Sequence, residues 1–222
     1  MYLTRMYLNP RRRQTKRFLD DPQSMHAAVE SCFPPGFVGP RNLWRADVST
    51  PEVNLLILSE RVPSLEHLQE QAGWGNEQTW ETRDYEPLLN RIGVGQRYAY
   101  RLTANPTRTV TEDNGAKKRK AHVSARHQLD WLGERANGIG ARLFMPGSAE
   151  AEERPSWETG IIRRETKRFR RDGRWVTIAQ VGFQGVLEVT DSQLLRSALV
   201  DGIGRAKAYG CGLLTLAPAP PD

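Results

Sequence analysis

Cysteine is scarce in this 222-residue sequence, and long apolar runs are missing. Only Cys32 and Cys211 occur, without a C-x-x-C pair, which excludes a disulfide-rich scaffold. No run of 18 apolar residues is present, and arginines at positions 5 and 11 interrupt the N-terminus. Neither a membrane span nor a secretory signal is therefore predicted. We expect a cytoplasmic chain without a membrane partner and with two reduced thiols; a disulfide between them is the alternative.

The common signatures of metal and nucleophilic catalysis are also missing. His122 and His127 are five residues apart rather than three or four, and no cysteine or paired carboxylate lies near them. No G-x-S-x-G nucleophile motif, P-loop or dinucleotide-binding glycine pattern occurs. We therefore expect no metal and no small-molecule cofactor. If the protein is an enzyme, its chemistry is expected to depend on one acid–base side chain.

What the sequence does contain is an excess of positive charge. Lysine and arginine number 32 against 26 acidic residues, for a formal net charge of +6. Much of this charge lies in three runs, at residues 11–17, 117–120 and 163–174, the last with seven basic residues in twelve. One such run is usually a solvated face. Three of them favour a nucleic acid as the partner.

Periodicity predicts the element order β-α-β-β-α-β in the first half of the chain. The predicted segments are a strand at 2–9, a helix from Pro22 capped by Asp20 or Asp21, strands at 43–48 and 53–58, a short helix from Ser64 and a strand at 79–85. Met25, Val29 and Phe33 form part of the apolar stripe of the first helix.

The second half repeats that order. It comprises a strand at 97–105, a helix capped by Ser124, strand-rich segments at 158–169 and 175–189 joined by an Asp172-Gly173 turn, a helix capped by Asp191 and a strand at 213–216. Residues 117–120 are predicted as a loop and residues 145–156 as a mobile acidic loop. This pattern predicts an α+β fold of two tandem ferredoxin-like (βαββαβ) domains, residues 1–92 and 93–222.

A glycine-rich segment precedes the last strand. Gly202, Gly204, Gly210 and Gly212 flank two cations, Arg205 and Lys207. Such a backbone bends sharply and can approach an anion closely, which suggests a phosphate-bearing partner. A simple tight turn is the alternative.

His26 is the best-placed acid–base candidate. It lies at the margin of the apolar stripe on the first helix, with Gln23 and Glu30 on the same side. We expect the N–H groups at the helix N-terminus to favour a phosphate there and to hold the imidazole pKa near or below about 6.5. A histidine that is merely hydrogen-bonded at the edge of the core is the alternative.

Several segments, in matching order along nearly the whole chain, match one known family. They are Met1-Tyr2-Leu3-Thr4, Met25-His26 followed by Cys32-Phe33-Pro34, the Arg-Leu-Thr-Ala-Asn-Pro of 101–106, Trp131-Leu132, the Gly-Phe-Gln-Gly-Val-Leu of 182–187 and the glycine-rich segment 202–218. In these segments the sequence resembles the CasE family of CRISPR RNA-processing endoribonucleases of the type I-E interference system.

The resemblance implies a repeat-associated RNA-binding (RAMP) fold and metal-independent cleavage of the repeat hairpin in precursor CRISPR RNA. A ribose 2′-hydroxyl would attack the neighbouring phosphate, yielding a 2′,3′-cyclic phosphate and a 5′-hydroxyl. The mature CRISPR RNA would then be retained within Cascade, the interference complex. The implied partners are therefore the repeat RNA hairpin, the mature CRISPR RNA and the other type I-E Cascade subunits.

The resemblance also implies roles for single residues. His26 matches the family's general acid or base, whereas Gln23 stands where members often have tyrosine. Either Gln23 makes a weaker contact there, or a cation such as Lys207 stabilises the phosphorane. The resemblance implies RNA contacts by Arg163, Arg164, Lys167, Arg168, Arg205 and Lys207. The basic run at 117–120 adds Lys118 and Arg119 as candidates, and residues 11–13 are expected to form a solvated loop. Because the tyrosine is replaced, a non-cleaving CRISPR RNA-binding subunit is one alternative, and a general structured-RNA-binding protein is another.

Overall fold

The computed structural model describes residues 1–36, 39–49, 51–75 and 77–220. In its first half, a four-stranded antiparallel sheet has the strand order β2-β3-β1-β4. The strands are β1 (Tyr2–Leu8), β2 (Leu43–Ser49), β3 (Glu52–Ser59) and β4 (Trp80–Asp84), and the helices are α1 (Arg13–Asp20), α2 (Pro22–Glu30) and α3 (Glu66–Ala72). Along β1, Met6 and Leu8 point inward and pack with Met25 and Val29 of α2 and Leu68 of α3.

The sequence pattern does not predict helix α1. This helix begins at Arg13, so the prediction of a solvated loop for residues 11–13 is wrong for the last of these residues. The helix is strongly polar, and its buried side chains are Thr15 and Phe18. Two buried positions are too few to produce a readable apolar stripe. Arg12 donates from Nη1 to the backbone carbonyl of Glu70, at 2.6 Å.

The second half contains the same strand order. Its strands are β5 (Arg97–Ala104), β8 (Ala141–Leu143), β9 (Gly160–Arg171), β10 (Arg174–Val189) and β11 (Leu214–Pro218), with order β11-β5-β10-β8 and β9 paired to β10. Helices α5 (Ala125–Ala136) and α7 (Ser192–Asp201) complete the unit. Each half thus has the βαββαβ connectivity of a ferredoxin-like fold, which confirms the predicted fold class.

Two predicted loops have regular structure instead. Residues 117–120 belong to β7 (Lys117–Ala121), which pairs with β6 (Thr107–Thr111) in a separate hairpin. Every residue of β7 is exposed, so no alternation of buried positions marks it as a strand. Within 145–156 lies α6 (Ala149–Glu153), followed by a 3-10 turn at Pro155–Trp157, and Trp157 is buried against Phe144. The unpredicted helix α4 (Glu86–Arg91) links the two sheets.

The two halves share a buried interface. Leu43 and Leu58 of the first sheet belong to the same apolar cluster as Leu214 of β11 and Leu213, which precedes that strand. Arg45, only 2% exposed, donates from Nη1 to the carbonyls of Arg101 and Leu213, each at 2.9 Å. The predicted domain boundary at 92/93 falls between the sheets, after β4 and before β5, and stays a prediction.

The structure bears on the expectations of reduced thiols and of no membrane span. Cys32 and Cys211 are both buried and unbonded, as expected for reduced thiols. Burial raises the pKa of each thiol to about 12, so neither is a thiolate near neutral pH. Of the helices in the described ranges, none combines the length and apolar character needed to cross a bilayer.

Candidate functional site

Local sequence determines the position of His26 in the fold. Asp21 caps α2 by accepting from the backbone N–H of Gln23 at 3.1 Å, and Pro22 takes the first helical position. Met25 and Val29 are fully buried, which fixes the rotation of the helix about its axis. His26 follows Met25 and therefore lies at the edge of the buried face, as predicted.

The imidazole of His26 is partly sheltered, with 28% of its side chain exposed. Its Nδ1 has no accessible surface and no hydrogen-bond partner among the residues that the structure describes, and it lies 3.8 Å from Oε1 of Glu30. A molecule in solution can therefore meet the ring only through Nε2 and the ring carbons. This arrangement differs from a hydrogen-bonded histidine at the edge of the core, the alternative considered above.

Burial lowers the pKa of His26 below its ordinary value of 6.5, and the positive charges of Arg41 and Arg171 lower it further. Glu30 acts in the opposite direction and raises this pKa. The predicted direction is thus correct, but its main cause is burial. The N-terminal end of α2 is already occupied by the carboxylate of Asp21, which also accepts from Ser24 Oγ at 2.5 Å. That carboxylate takes the place of the phosphate expected there.

A cleft of about 790 Å³ opens beside His26. Glu30 and Ser31 line it from the end of α2, Arg41 from the segment before β2, and Arg171 from the end of β9. Two guanidinium groups and one imidazole therefore face a common space large enough for a ribose–phosphate unit. Such a combination can bind a phosphate group and exchange a proton beside it.

Tyr209 supports this site from the glycine-rich segment. Its ring meets the His26 ring edge to face, with centroids 6.2 Å apart. Arg171 donates from Nη1 to the Tyr209 hydroxyl at 3.2 Å, and Gln180 donates from Nε2 to the Tyr209 carbonyl at 2.7 Å. Tyr209 also packs on Phe169, and only 7% of it is exposed. It therefore contacts both the imidazole and one of the two cations.

The glycine-rich segment packs between the two halves of the molecule. A Cβ on Gly210 would lie 2.6 Å from the Trp44 ring of β2, and one on Gly202 would lie 2.9 Å from Leu43. Gly204 lies against Trp131 of α5, and Gly212 lies against the carbonyl of Ile203. The absence of side chains thus permits direct contact with β2 and α5.

Gln23 and Lys207, the two candidates for phosphorane stabilisation, lie elsewhere. Gln23 is outside the described lining of the cleft, and its side-chain oxygen is buried with no hydrogen-bond partner in the described part of the chain. Lys207 donates from Nζ to the carbonyl of Asp201 at 2.6 Å. Arg205 is exposed on the same loop. The roles of these three residues stay predictions, and Arg41 and Arg171 are the cations that face His26.

The ribbon of β9 and β10 divides its basic residues between two faces. On the inner face, Glu165 lies between Arg163 and Lys167, with N–O distances of 2.6 Å and 2.9 Å. Phe169 and Arg171 continue this face toward Tyr209. Period-2 alternation places the other cations of β9 on the outer face. Arg163 and Lys167 are thus partly neutralised by Glu165.

On the outer face, Arg164, Arg168 and Arg170 are exposed. Arg164 donates to the carbonyl of Val123, just before α5. This contact links the ribbon to the β6–β7 hairpin, where Lys118 lies 3.4 Å from Glu112 and Arg119 is exposed. The predicted RNA-binding residues thus fall on more than one surface, and their roles stay predictions.

Sequence reasoning missed three residues of the site: Arg41, Arg171 and Tyr209. Arg171 was visible as a member of the basic run, but nothing in the sequence distinguished it from its neighbours. Tyr209 was visible within the glycine-rich segment. Among the residues that the structure describes, no three side chains of His, Cys, Asp or Glu converge as a metal site would require.

Comparison with known proteins extends over nearly the whole chain. A family model described as CRISPR associated protein matches residues 1–218. The CRISPR-associated endoribonuclease Cse3 of Thermus thermophilus is 31% identical over 229 residues, covering 98% of this chain and all of that protein. The CRISPR system Cascade subunit CasE of Escherichia coli is 32% identical over 136 residues, covering 58% of this chain and 61% of that protein.

The structural comparison agrees. A solved structure of Thermus thermophilus Cse3, bound to an RNA representing a pre-cleavage complex, superposes with a TM-score of 0.78 and 29% identity over 98% of each chain. The likeness extends over both ferredoxin-like halves rather than one of them. The chain therefore belongs to the CasE family of CRISPR-associated proteins.

Proposed function

We propose that this protein is an endoribonuclease that cleaves the repeat hairpin of precursor CRISPR RNA without a metal ion. The observation that carries the proposal is the pairing of a partly buried His26 with two guanidinium groups in one cleft. The name of the Thermus relative, an endoribonuclease 31% identical over its whole length, supports this activity.

The chemistry starts from a neutral imidazole. Because the pKa of His26 is lowered, its imidazole is neutral near pH 7, and the tautomer with the proton on the sheltered Nδ1, beside Glu30, leaves a free lone pair on Nε2. His26 accepts the proton of the ribose 2′-hydroxyl, and the 2′-oxygen forms a bond to phosphorus. The bond from phosphorus to the 5′-oxygen breaks, and that oxygen takes a proton from water. The hydroxide left behind takes the proton from the His26 imidazolium, which restores the neutral ring. The products are a 2′,3′-cyclic phosphate and a 5′-hydroxyl.

Arg41 and Arg171 bind the scissile phosphate in this mechanism. Negative charge accumulates on the phosphoryl oxygens as the 2′-oxygen attacks, and a guanidinium can donate two parallel hydrogen bonds to them. The Tyr209 hydroxyl accepts from Nη1 of Arg171, and Oδ2 of Asp172 lies 3.3 Å from its Nε, so Nη2 is the nitrogen left to donate to a phosphate. Tyr209 therefore helps hold Arg171 and His26 in a fixed relation.

Binding of the hairpin depends on the exposed cations away from the cleft. Arg164 and Arg168 on the outer face of the ribbon, with Arg119 and Arg205, are available to bind phosphates. Three other cations are already paired with a carboxylate and must leave it to bind RNA. They are Arg163 and Lys167, paired with Glu165, and Lys118, paired with Glu112. Removing one cation that binds a phosphate is expected to reduce the salt slope of binding by about 0.7–0.9.

The product is then retained. We propose that the protein stays on the hairpin at the 3′ end of the mature CRISPR RNA and becomes a subunit of the type I-E Cascade complex. The name of the Escherichia relative, a Cascade subunit, supports this assembly.

A cleavage assay on the repeat hairpin tests the proposal. Wild-type protein with chelator present should cut the RNA at one position, and a single 2′-deoxy nucleotide at that position should block cutting. H26A should abolish cleavage and retain binding, whereas H127A, which removes an exposed imidazole outside the cleft, should cut normally. Tight binding by wild type without any cutting would instead identify a non-cleaving subunit. Indifference to the hairpin would indicate a general RNA-binding protein.

A further inference from the structure

Trp175 is an exposed aromatic side chain that the proposed cleavage site does not use. It lies near the start of β10, next to the turn of the β9–β10 ribbon, and 55% of it is exposed. Most large apolar side chains of this protein are buried. The Trp175 indole instead leaves apolar surface in contact with water and contributes nothing to the core.

Two arginines surround the indole. The guanidinium carbon of Arg168 lies 4.4 Å from the Trp175 ring centroid, and that of Arg170 lies 5.1 Å from it. In the strand register Trp175 is opposite Arg170, and Thr177 is opposite Arg168. Residues opposite each other in an antiparallel pair share a face. The indole and both guanidiniums therefore lie on the outer face of the ribbon.

This outer face is separate from the His26 cleft. Phe169 and Ile178 alternate with the outer-face residues and pack inward with Tyr209. Val181, opposite Arg164, is buried in the core. Beyond it, the outer face carries Thr166, Arg168 and Arg170 from β9, opposite Ala179, Thr177 and Trp175 from β10. No acidic residue is among these six positions. Such a face suits a polyanion that also offers flat aromatic groups.

The tight turn between β9 and β10 makes the end of the ribbon rigid. Asp172 and Gly173 both have positive φ, 49° and 75°, as the two central residues of a tight hairpin turn require. The ribbon also pairs continuously from the turn to the bulge at Gly182. A rigid ribbon holds the indole in place before RNA arrives, which lowers the ordering cost of stacking.

We propose that Trp175 stacks on one unpaired nucleobase of the bound RNA while Arg168 and Arg170 contact the flanking phosphates. This inference rests on the proposed RNA partner. The base must be unpaired, because bases inside an A-form stem are stacked on each other and the deep groove is too narrow for an indole. The nucleotide therefore belongs to the loop of the hairpin or to a single-stranded flank.

Binding of W175A to the repeat hairpin tests this site. Loss of one base stack should weaken binding by about 5- to 100-fold, and W175F should recover part of the loss. The salt slope of W175A should equal that of wild type, whereas R168A should lower the slope by about 0.7–0.9. W74A removes an indole that is 42% exposed in the other domain and should bind as wild type does.

A set of RNAs with one abasic nucleotide each identifies the base. One abasic position should weaken binding to wild type and leave binding to W175A unchanged. Equal binding by W175A and wild type, or equal abasic penalties in both proteins, would overturn the stacking site; that is also the result expected if Trp175 contacts another protein. These binding measurements do not depend on whether the protein cuts the RNA. Wild type that binds but never cuts refutes the nuclease proposal alone, and an unaffected W175A that still cuts refutes this inference alone.

Discussion

His26 of α2 and Tyr209 of the glycine-rich segment meet edge to face, with ring centroids 6.2 Å apart and ring planes at 75°. The two residues come from opposite ends of the chain and from different ferredoxin-like halves. Since the Tyr209 hydroxyl accepts from Arg171, this one phenol connects the proposed proton-transfer group with a proposed phosphate-binding cation. The geometry of the cleft therefore depends on how the two halves pack.

Replacing Tyr209 tests that dependence. Y209L removes the ring against which His26 packs, and we expect its single-turnover cleavage rate to fall by about 10²-fold, as for a misplaced reacting group. Y209F retains the ring and loses only the hydroxyl, so its loss should be much smaller. RNA affinity should change little in either variant. Equal rates for Y209L and wild type, in protein that melts normally, would contradict a positioning role.

The pH dependence of cleavage should follow the titration of His26. The rate rises with pH as the imidazole loses its proton. This rising limb of the pH–rate profile lies below pH 6.5, the ordinary pKa of histidine, because burial lowers the pKa of His26. Glu30 raises this pKa, so E30Q should lower it further and move the limb to lower pH. At higher pH the two rates should agree. Single-turnover rates between about pH 5 and 8 measure the limb, and a limb that moves upward in E30Q would refute the assignment.

Arg171 should matter for catalysis, while its neighbour across the ribbon should not. R171Q removes a cation from the cleft and should reduce the cleavage rate by about 10²-fold, the size of loss seen when one donor to a developing oxyanion is removed. Because Arg171 also lowers the pKa of His26, the limb should move to higher pH in R171Q.

R174Q is the matched control for R171Q. Arg174 pairs with Arg171 in the strand register and carries the same charge, but it does not belong to the described cleft lining. Its removal should affect the rate little. A loss of cleavage rate of the same size in R171Q and R174Q would show that only the net charge of the protein matters.

Packing of the glycine-rich segment can be tested by stability. In G210A the new methyl group would lie 2.6 Å from the Trp44 ring, on backbone with a φ of 75°. We expect overpacking of this kind to cost about 1–3 kcal/mol of unfolding free energy. G95A is the control, since Gly95 has a φ of 82° but no atom of the described residues lies within 4 Å of the added Cβ. Urea unfolding measures both, and equal losses of stability would assign the whole effect to backbone strain.

Most regular elements could be predicted because their burial repeats along the chain. The alternation of buried residues in β1 and the apolar stripe of α2 are local features, and both are present as expected. Helix α1 and strand β7 lack such a signal, since one buries little and the other buries nothing. Their structure comes from the partners they pair with or pack against.

The sequence by itself determined the βαββαβ order of the two halves, the place of His26 at the edge of a buried helix face, and the basic character of the ribbon. These properties depend on residues within a few positions of each other. Only the tertiary structure decided that Arg171 and Tyr209 face His26 and that Trp175 faces away. The physical reason is that a period of two defines two faces of a strand, while packing between the two halves decides what each face meets.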